Sequence, residues 1–304
     1  MNTCALTILG CNSALAEHGR NPTAQVLQMC NHTFLIDCGE GTQMRIQQYN
    51  VKWFNIDHIF ISHLHGDHYY GLIGLLTTFN LLKRQADLTI YAPKELKAII
   101  DIQLAASNTK LNYNLHYIET HSETPQLIFE DDTLTVHTIP LQHKIPTTGF
   151  LFREKIGNRK LLIEKLEGRS YQKADLKLLK RNTDILDDDG NPIFAREVTA
   201  DPNPAKSYAF CSDTMYNETM FDQIRGVDLL YHESTFLHDS LQRAEETRHS
   251  TALQAGLTAK EAQVKQLLIG HYSSRYANLT PLLEEAQTAF GNTILAVEGQ
   301  TYQF

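Results

Sequence analysis

Short, nearly continuous apolar runs recur along the 304-residue chain and are bounded by Gly, Asp or His. Strands that are buried on both faces have this pattern, so each run is predicted to be a β-strand. The predicted strands are residues 5–9, 33–38, 58–62, 88–91, 133–141, 207–211, 229–232, 266–270 and 293–297.

Between some of these strands, apolar residues recur at helical spacing. Residues 71–85 and 93–107 have this pattern and are predicted to be helices. Thr280 followed by Pro281 predicts a third helix, with Thr280 as the N-cap and proline at the first helical position. Strands alternating with helices predict an α/β fold in which helices cover the faces of sheets.

Composition excludes several classes of protein. With 42% hydrophobic and 20% charged residues, the chain is expected to be globular rather than disordered or fibrous. It contains no apolar run of about 18 residues and begins without a basic, then apolar, segment, so we expect neither a membrane span nor a signal peptide, and a cytoplasmic location. The five cysteines form no CxxC pair, which favours reduced thiols.

The formal net charge of −8 by itself argues against a polyanionic partner, but the charge is unevenly distributed. Residues 153–181 contain ten basic and four acidic residues, a net charge of +6, which leaves −14 on the other 275 residues. We therefore predict one domain over residues 1–304 that contains a distinct basic segment. The alternative is a solvated basic helix, because leucines follow helical spacings within the same segment.

A dense group of potential metal ligands follows the strand predicted at 58–62. His63 and His65 alternate along extended chain and so point the same way, while Asp67 and His68 follow Gly66, which lets the backbone turn. Imidazole and carboxylate donors suit zinc or a similar divalent ion, and two such sets of ligands suit a binuclear site.

Three further candidates each follow an apolar strand. They are His143, Asp213 and His271. Taken singly, each is more typical of a capping or hydrogen-bonding residue. Together with the histidine-rich loop they favour ligation, because an α/β fold gathers its site at the ends of strands.

The loop 63–68, the turn 211–214 and the strand end 270–271 resemble those of the metallo-β-lactamase superfamily, and three further stretches resemble its ribonuclease Z branch. The three are residues 62–68, 232–236 (His-Glu-Ser-Thr-Phe) and 271–276 (His-Tyr-Ser-Ser-Arg-Tyr). The resemblance runs from about residue 5 to residue 298. It implies a metallo-β-lactamase αβ/βα four-layer sandwich with an inserted basic arm at 153–190, a candidate site for tRNA binding. It also implies an endoribonuclease that removes 3′ trailers from tRNA precursors through attack of a metal-activated hydroxide on a phosphodiester.

The resemblance further implies two Zn²⁺ ions per subunit, with Mn²⁺ or another divalent ion as a substitute. One ion would be held by His63, His65 and His143, the other by Asp67, His68 and His271, with Asp213 bridging the two. Asp37 is expected to support these ligands rather than to coordinate.

The same resemblance assigns roles in catalysis and substrate binding. Asp67 would orient or deprotonate the attacking water, and His249, steered by Glu233, would donate a proton to the leaving 3′ oxygen. Other readings are a structural, hydrogen-bonding Glu233 and a His249 that merely precedes a helix N-cap. The residues expected to bind substrate are Ser273, Arg275, Lys177, Lys180 and Arg181.

The arm departs from the family pattern. The expected Gly-Pro pair is missing, and Leu179-Lys180-Arg181-Asn182 ends in Asn where the family has Gly. The resemblance implies precursor tRNA as partner and a homodimer in which one subunit's arm serves the other's active site. Two other functions stay open, a small-molecule hydrolase or phosphodiesterase on the same metal site and a noncatalytic RNA-binding module.

Overall fold

The structure is a computed structural model that describes residues 4–304. In chain order, its first strands are β1 (Ala5–Gly10), β2 (Ala24–Met29), β3 (His32–Ile36), β4 (Ile56–Phe60), β5 (Leu88–Ala92), β6 (Leu115–Glu119), β7 (Leu127–Glu130), β8 (Leu134–Leu141) and β9 (Thr147–Glu154). The strands that follow are β10 (Lys160–Leu161), β11 (Ile185–Leu186), β12 (Pro192–Ile193), β13 (Thr199–Ala200), β14 (Ser207–Cys211), β15 (Leu229–Glu233), β16 (Gln266–Gly270), β17 (Thr293–Leu295) and β18 (Thr301–Gln303).

Helices connect many of these strands. They are α1 (Thr42–Gln48), α2 (Gly66–Tyr69), α3 (Leu72–Leu81), α4 (Glu95–Ala106), α5 (Asp175–Lys180), α6 (Ala195–Val198), α7 (Phe221–Ile224), α8 (Leu241–Thr247), α9 (Ala252–Glu261) and α10 (Thr280–Ala289). Short 3₁₀ turns lie at Trp53–Asn55, Ile163–Lys165, Glu218–Met220 and His238–Ser240. Among residues 4–304, none of the helices has the length and apolar character needed to cross a bilayer.

The chain divides into two compact units, one of residues up to Arg153 and from Lys206 onward, the other of Glu154–Ala205. The larger unit contains two seven-stranded sheets, in the orders β18-β1-β2-β3-β4-β5-β6 and β17-β16-β15-β14-β9-β8-β7. Both are mixed, with β3 to β6 parallel in the first and β14 to β17 parallel in the second. The predicted α/β class is confirmed.

Two apolar clusters give the larger unit its layers. In the first, Phe34 and Phe60 of one sheet pack with Phe150 and Phe210 of the other, and α9 and α10 add small and branched side chains to the same cluster. In the second cluster, the opposite face of the first sheet packs on the buried leucines of α3 and on α4. The order of layers is therefore helix, sheet, sheet, helix, the predicted four-layer sandwich.

The smaller unit has its own apolar cluster. Its members are Leu166, Leu179, Ile185, Ile193, Ala195 and Val198. Two short antiparallel pairs, β10 with β13 and β11 with β12, accompany helices α5 and α6. A continuous basic helix is therefore wrong, since leucines at helical spacings pack into this cluster from strands and turns as well as from α5. The unit contains ten basic and ten acidic residues, because the acidic turn at 184–189 belongs to it.

Most predicted elements of the larger unit exist within two or three residues of their predicted bounds, but the start of α10 is different. Thr280 is the first residue of the helix rather than its N-cap. The Thr280 N–H donates to Oδ1 of Asn278 at 3.1 Å, so an upstream amide takes the place that the Thr280 hydroxyl was predicted to fill.

Candidate metal centre

All seven predicted ligands meet at one edge of the larger unit. His63 and His65 follow β4 and lead into α2, which carries Asp67 and His68. His143, Asp213 and His271 follow β8, β14 and β16 within two residues. The parallel strands β14 and β16 end on the same side of their sheet, which brings their following residues together.

The first group of donors consists of three imidazoles and one carboxylate. His65 Nδ1 lies 3.0 Å from His63 Nε2 and 3.1 Å from His143 Nε2. Asp213 Oδ2 lies 3.6 Å from His63 Nε2 and 3.5 Å from His143 Nε2. These four atoms lie close enough together to be the ligands of one metal ion.

The second group consists of two imidazoles and two carboxylates. Asp213 Oδ1 lies 3.1 Å from Nε2 of both His68 and His271, and Asp67 Oδ2 lies 3.5 and 3.6 Å from the same two nitrogens. Both Nε2 atoms are buried and make no hydrogen bond to any of residues 4–304. Buried polar atoms without a partner are rare in native proteins, and a shared metal ion would satisfy both of them.

Asp213 therefore presents one oxygen to each group of donors, the arrangement of a carboxylate that bridges two ions. It is buried, and its backbone is left-handed with a φ of 61°. Asp37 and His271 also have positive φ, both 56°. Left-handed backbone is unfavourable for residues other than Gly and is concentrated at functional sites. The three positive φ angles therefore support a functional role for this group of side chains.

Outer hydrogen bonds fix the orientation of the candidate ligands. The Nδ1–H of His68 donates to Asp37 Oδ2 at 2.7 Å, and His143 Nδ1–H donates to the carbonyl of Arg248 at 2.9 Å. His271 Nδ1 lies 2.9 Å from Thr235 Oγ1. Metal-binding histidines characteristically use their second nitrogen in this way. Asp37 contacts His68, the supporting position predicted for it, whereas the contacts of Thr235 and of the Arg248 carbonyl with their histidines were not predicted.

Charges within the centre favour a cation. Burial would raise the pKa of Asp213, but the neighbouring imidazoles of His271, His68 and His63 hold it well below its usual range. Burial would lower the pKa of His68, yet the carboxylates of Asp213, Asp67 and Asp37 raise it well above normal. Burial lowers the pKa of His63 and keeps that ring neutral, the form that binds metal.

A second pair of side chains lies beside these donors. His249 Nδ1–H donates to the fully buried carboxylate of Glu233, whose oxygens are 3.0 and 3.1 Å away. Burial disfavours the charged ring, but Glu233 outweighs it and raises the pKa of His249 to about 9. His249 also precedes a helix N-cap, since Thr251 caps α9 with a capping box, so its position before the cap and its pairing with Glu233 occur together.

A cavity of about 440 Å³ opens beside the two groups of donors. Its lining includes Asp67, His249, Phe236 and Ser273. The guanidinium of Arg275 lies 5.0 Å from the centroid of the Phe236 ring, which places an exposed cation close to the cavity. Of the two residues predicted to bind phosphate, Ser273 lines the cavity, and Arg275 stacks on Phe236, which also lines it.

The remaining predicted substrate-binding residues belong to the smaller unit. Lys177 and Lys180 lie on α5, Arg181 follows it, and all three side chains are exposed while Leu179 between them is buried. These three cations therefore face solvent while Leu179 packs into the apolar cluster of the unit.

Comparisons with known proteins agree with this architecture. A protein named ribonuclease Z from Bacteroides fragilis is 42% identical over 298 residues, which cover 98% of both chains. The structure of the short form of human tRNase Z superimposes with a TM-score of 0.71 at 25% identity, over 98% of both chains.

Two further matches bear on fold and extent. The metallo-β-lactamase fold protein YhfI from Bacillus subtilis superimposes with a TM-score of 0.69 over the whole of both chains, and at 19% identity this likeness shows the fold alone. The family model described as anti-Pycsar protein Apyc1 matches residues 4–165. That match ends before Asp213, Glu233 and His271, whereas the likeness to ribonuclease Z includes them.

Proposed function

The chain belongs to the ribonuclease Z family, a family of metal-dependent endoribonucleases, and on this premise we propose that it is a zinc-dependent enzyme that removes 3′ trailers from tRNA precursors. The observation that carries the proposal is the position of Asp213, whose two oxygens face two separate groups of histidines. A carboxylate shared between two sets of donors suits a pair of metal ions close enough together for two-metal hydrolysis of a phosphodiester.

We assign the ligands as the sequence predicted them. One ion would be held by His63 Nε2, His65 Nδ1 and His143 Nε2, the other by Asp67, His68 Nε2 and His271 Nε2, with Asp213 shared. When bound, two divalent ions lower the pKa of water and neutralise charge on the scissile phosphate. The carboxylate of Asp67 faces the cavity and accepts a hydrogen bond from the attacking water, which orients it for in-line attack.

Proton donation to the leaving oxygen is assigned to His249. Its Nδ1 is occupied by Glu233, so Nε2 is the atom available to donate towards the cavity. Because Glu233 raises the pKa of His249, the ring carries the proton at neutral pH. Glu233 is itself fixed by the backbone N–H groups of Thr214 and Ser250, at 2.6 and 3.0 Å, so it is a positioning residue that does not touch substrate.

Substrate binding is assigned to two sets of residues. Ser273 would donate a hydrogen bond to phosphate inside the cavity, and Arg275 would hold a neighbouring phosphate beside Phe236. In the smaller unit, Lys177, Lys180 and Arg181 would pair with phosphates of the tRNA body. We propose the segment 153–190 as this tRNA-binding arm.

The deciding experiment is cleavage of a precursor tRNA by the zinc-loaded protein, with the cut mapped at nucleotide resolution. We expect one cut 3′ of the discriminator nucleotide, with release of the trailer. Precursors with and without an encoded CCA end are tested side by side. Absence of cleavage by metal-loaded protein would refute the proposal. Asp67→Ala is the matched negative control, because it removes one ligand and leaves the arm untouched.

A second candidate function is a small-molecule phosphodiesterase on the same centre. The observation that favours it is the 440 Å³ cavity, whose volume lies in the usual range for small-ligand sites. Turnover of a cyclic nucleotide, with precursor tRNA left intact under the same conditions, would select this function.

Size-exclusion chromatography with light scattering tests the homodimer that the family resemblance implies.

A further inference from the structure

A second cluster of potential metal ligands lies far from the candidate active site, at the beginning of the parallel strands rather than at their ends. It consists of His32 on β3 and Asp57 and His58 on β4. His63 lies five residues beyond His58 along the chain, a span of up to roughly 16 Å at about 3.3 Å per residue of extended chain. Asp57 and His58 are neighbours in sequence, and in a regular strand their side chains would point to opposite faces.

A β-bulge brings Asp57 and His58 to the same place. Thr33 pairs with Ile56 and Phe34 pairs with His58, so Asp57 has no partner residue on β3. Bulges redirect side chains and are frequent beside functional sites. As a result, Asp57 Oδ2 lies 3.9 Å from His32 Nδ1 and 3.9 Å from His58 Nε2. Tetrahedral ligands about 2.0–2.2 Å from one zinc ion lie about 3.3–3.6 Å apart, so shifts of a few tenths of an ångström would bring these atoms to coordinating positions.

The other nitrogen of each ring is held by an outer partner. His32 Nε2–H donates to Asp131 Oδ2 at 2.7 Å, and His58 Nδ1 lies 3.2 Å from the hydroxyl of Tyr91. Asp131 is itself fixed, since its Oδ1 accepts hydrogen bonds from the Thr133 and Leu134 N–H groups at 2.7 and 2.8 Å. A carboxylate behind a ligand histidine is the usual outer arrangement of zinc sites.

Aromatic packing restricts both rings further. Phe129 meets the ring of His58 edge-on at 4.8 Å and that of His32 at 5.4 Å, and Phe34 stacks on His32 at 5.3 Å. This packing holds His32 Nδ1 and His58 Nε2 in orientations that face Asp57. Its second oxygen, Oδ1, is buried and has no hydrogen-bond partner in the described part of the chain.

We propose that His32 Nδ1, His58 Nε2 and the Asp57 carboxylate form a further divalent-metal site of zinc type, separate from the candidate active site. The donor set of two imidazoles and one carboxylate suits zinc or a neighbouring transition metal, with the fourth position left to water. The side chains of Asp57 and His32 are 45% and 22% exposed, which gives a hydrated ion access. The site joins β3, β4 and, through Asp131, the turn between β7 and β8, so its role is structural.

The proton is the competing occupant. The nearby carboxylate of Asp57, followed by that of Asp131, raises the pKa of His32 above its ordinary value despite partial burial. Burial lowers the pKa of His58, so that ring is neutral and ready to bind. A bound ion would replace the proton on His32 Nδ1 and keep the hydrogen bond from Nε2 to Asp131.

The test is zinc content per chain, measured by mass spectrometry after equilibrium dialysis of the full-length protein at a fixed micromolar concentration of free zinc. Wild type is compared with His58→Gln, Asp57→Asn and the control His116→Gln. His116 is a suitable control because it also pairs with an aspartate, Asp87, at 2.7 Å, but both side chains are about half exposed and no third candidate ligand is near among the described residues.

We expect His58→Gln and Asp57→Asn each to contain one zinc per chain fewer than wild type, and His116→Gln to match wild type. Equal zinc in all four proteins would overturn the proposal, and so would loss of more than one equivalent, since the site would then not be separate. If His58→Gln fails to fold, Asp57→Asn decides alone, because its side chain is the more exposed of the two. The difference is counted against wild type, so it is independent of how many ions the active site holds.

Discussion

Glu233 Oε1 lies 3.0 Å from His249 Nδ1, and the carboxylate is fully buried while the ring borders the cavity. The pair joins two elements that are distant in sequence, the end of β15 and the residues before α9. A buried carboxylate behind an imidazole fixes the tautomer and favours the charged ring, which is the form that can donate a proton.

Replacing His249 with Asn is expected to lower kcat on precursor tRNA by about 10²–10⁴-fold, the usual contribution of a general acid. The same variant is expected to hydrolyse bis(4-nitrophenyl) phosphate at nearly the wild-type rate, because nitrophenolate leaves without a proton. Parallel kinetics on the two substrates measure this difference. Equal losses on both would show that His249 supports the metal centre and does not donate a proton.

Replacing Asp67 with Ala is expected to abolish cleavage and lower bound metal while precursor tRNA still binds. The reason is that Asp67 faces His68 and His271 at the second group of donors, whereas the candidate arm residues lie in the smaller unit. Metal analysis measures the bound metal, a cleavage assay measures activity, and a gel-shift titration measures tRNA binding. A parallel loss of tRNA affinity would instead place the main binding determinant at the metal centre.

The metal ligands could be predicted because each donor lies shortly after an apolar strand. In an α/β fold the carboxyl ends of such strands lie together at one edge of the sheet. The outer partners of these ligands could not be predicted. Thr235 and Arg248 follow β15 and α8, and their contacts with His271 and His143 form only when the tertiary structure packs, so the local sequence does not predict those contacts. The bulge at Asp57 was missed for a similar reason, since it depends on how β4 pairs with β3.

Strands with polar residues inside them were also missed. In β2, Gln25 is buried between Ala24 and Val26, where its side chain accepts a hydrogen bond from the hydroxyl of Tyr208 in the other sheet. A distant partner thus satisfies the side-chain oxygen of a polar residue that interrupts the apolar run. The net charge of the smaller unit could not be predicted from residues 153–181 alone. The unit extends past Arg181 and includes an acidic turn, so its ten basic residues are balanced by ten acidic ones.

Reversing the charge of Lys177, Lys180 and Arg181 together, each to Glu, is expected to raise KM for precursor tRNA at least tenfold with little change in kcat. Each lost phosphate contact also lowers the salt dependence of binding, so the slope of log affinity against log salt is expected to fall. Steady-state kinetics and binding from 50 to 200 mM salt measure both. Lys260→Glu, an exposed lysine at the end of α9, is the matched control. An unchanged KM in the triple variant would refute the arm assignment.

Replacing Gly39 with Ala is expected to destabilise the protein by about 1–3 kcal/mol and to weaken metal binding. A Cβ at Gly39 would lie 2.4 Å from the backbone carbonyl of Asp67, so the loop that carries the ligands must shift. The neighbouring Cys38 N–H donates to the His68 carbonyl at 2.8 Å, and this bond would shift too. Urea unfolding and zinc titration measure the two effects. Gly291→Ala, where an added Cβ meets nothing within 4 Å, should leave both unchanged.

The contribution of Asp228 to stability is expected to disappear at low pH. Its Oδ2 accepts from the Ser207 N–H at 2.9 Å and its Oδ1 from Lys265 at 2.8 Å. Burial would raise the pKa of Asp228, but these partners lower it below its ordinary value, so the stabilisation is complete above about pH 4 and falls as pH drops through the folded-state pKa. Urea unfolding of metal-free wild type and Asp228→Asn should therefore show a stability difference that shrinks below about pH 4. Asp222→Asn, whose side chain is 93% exposed, should show no such trend, and a pH-independent difference for Asp228→Asn would contradict the assignment.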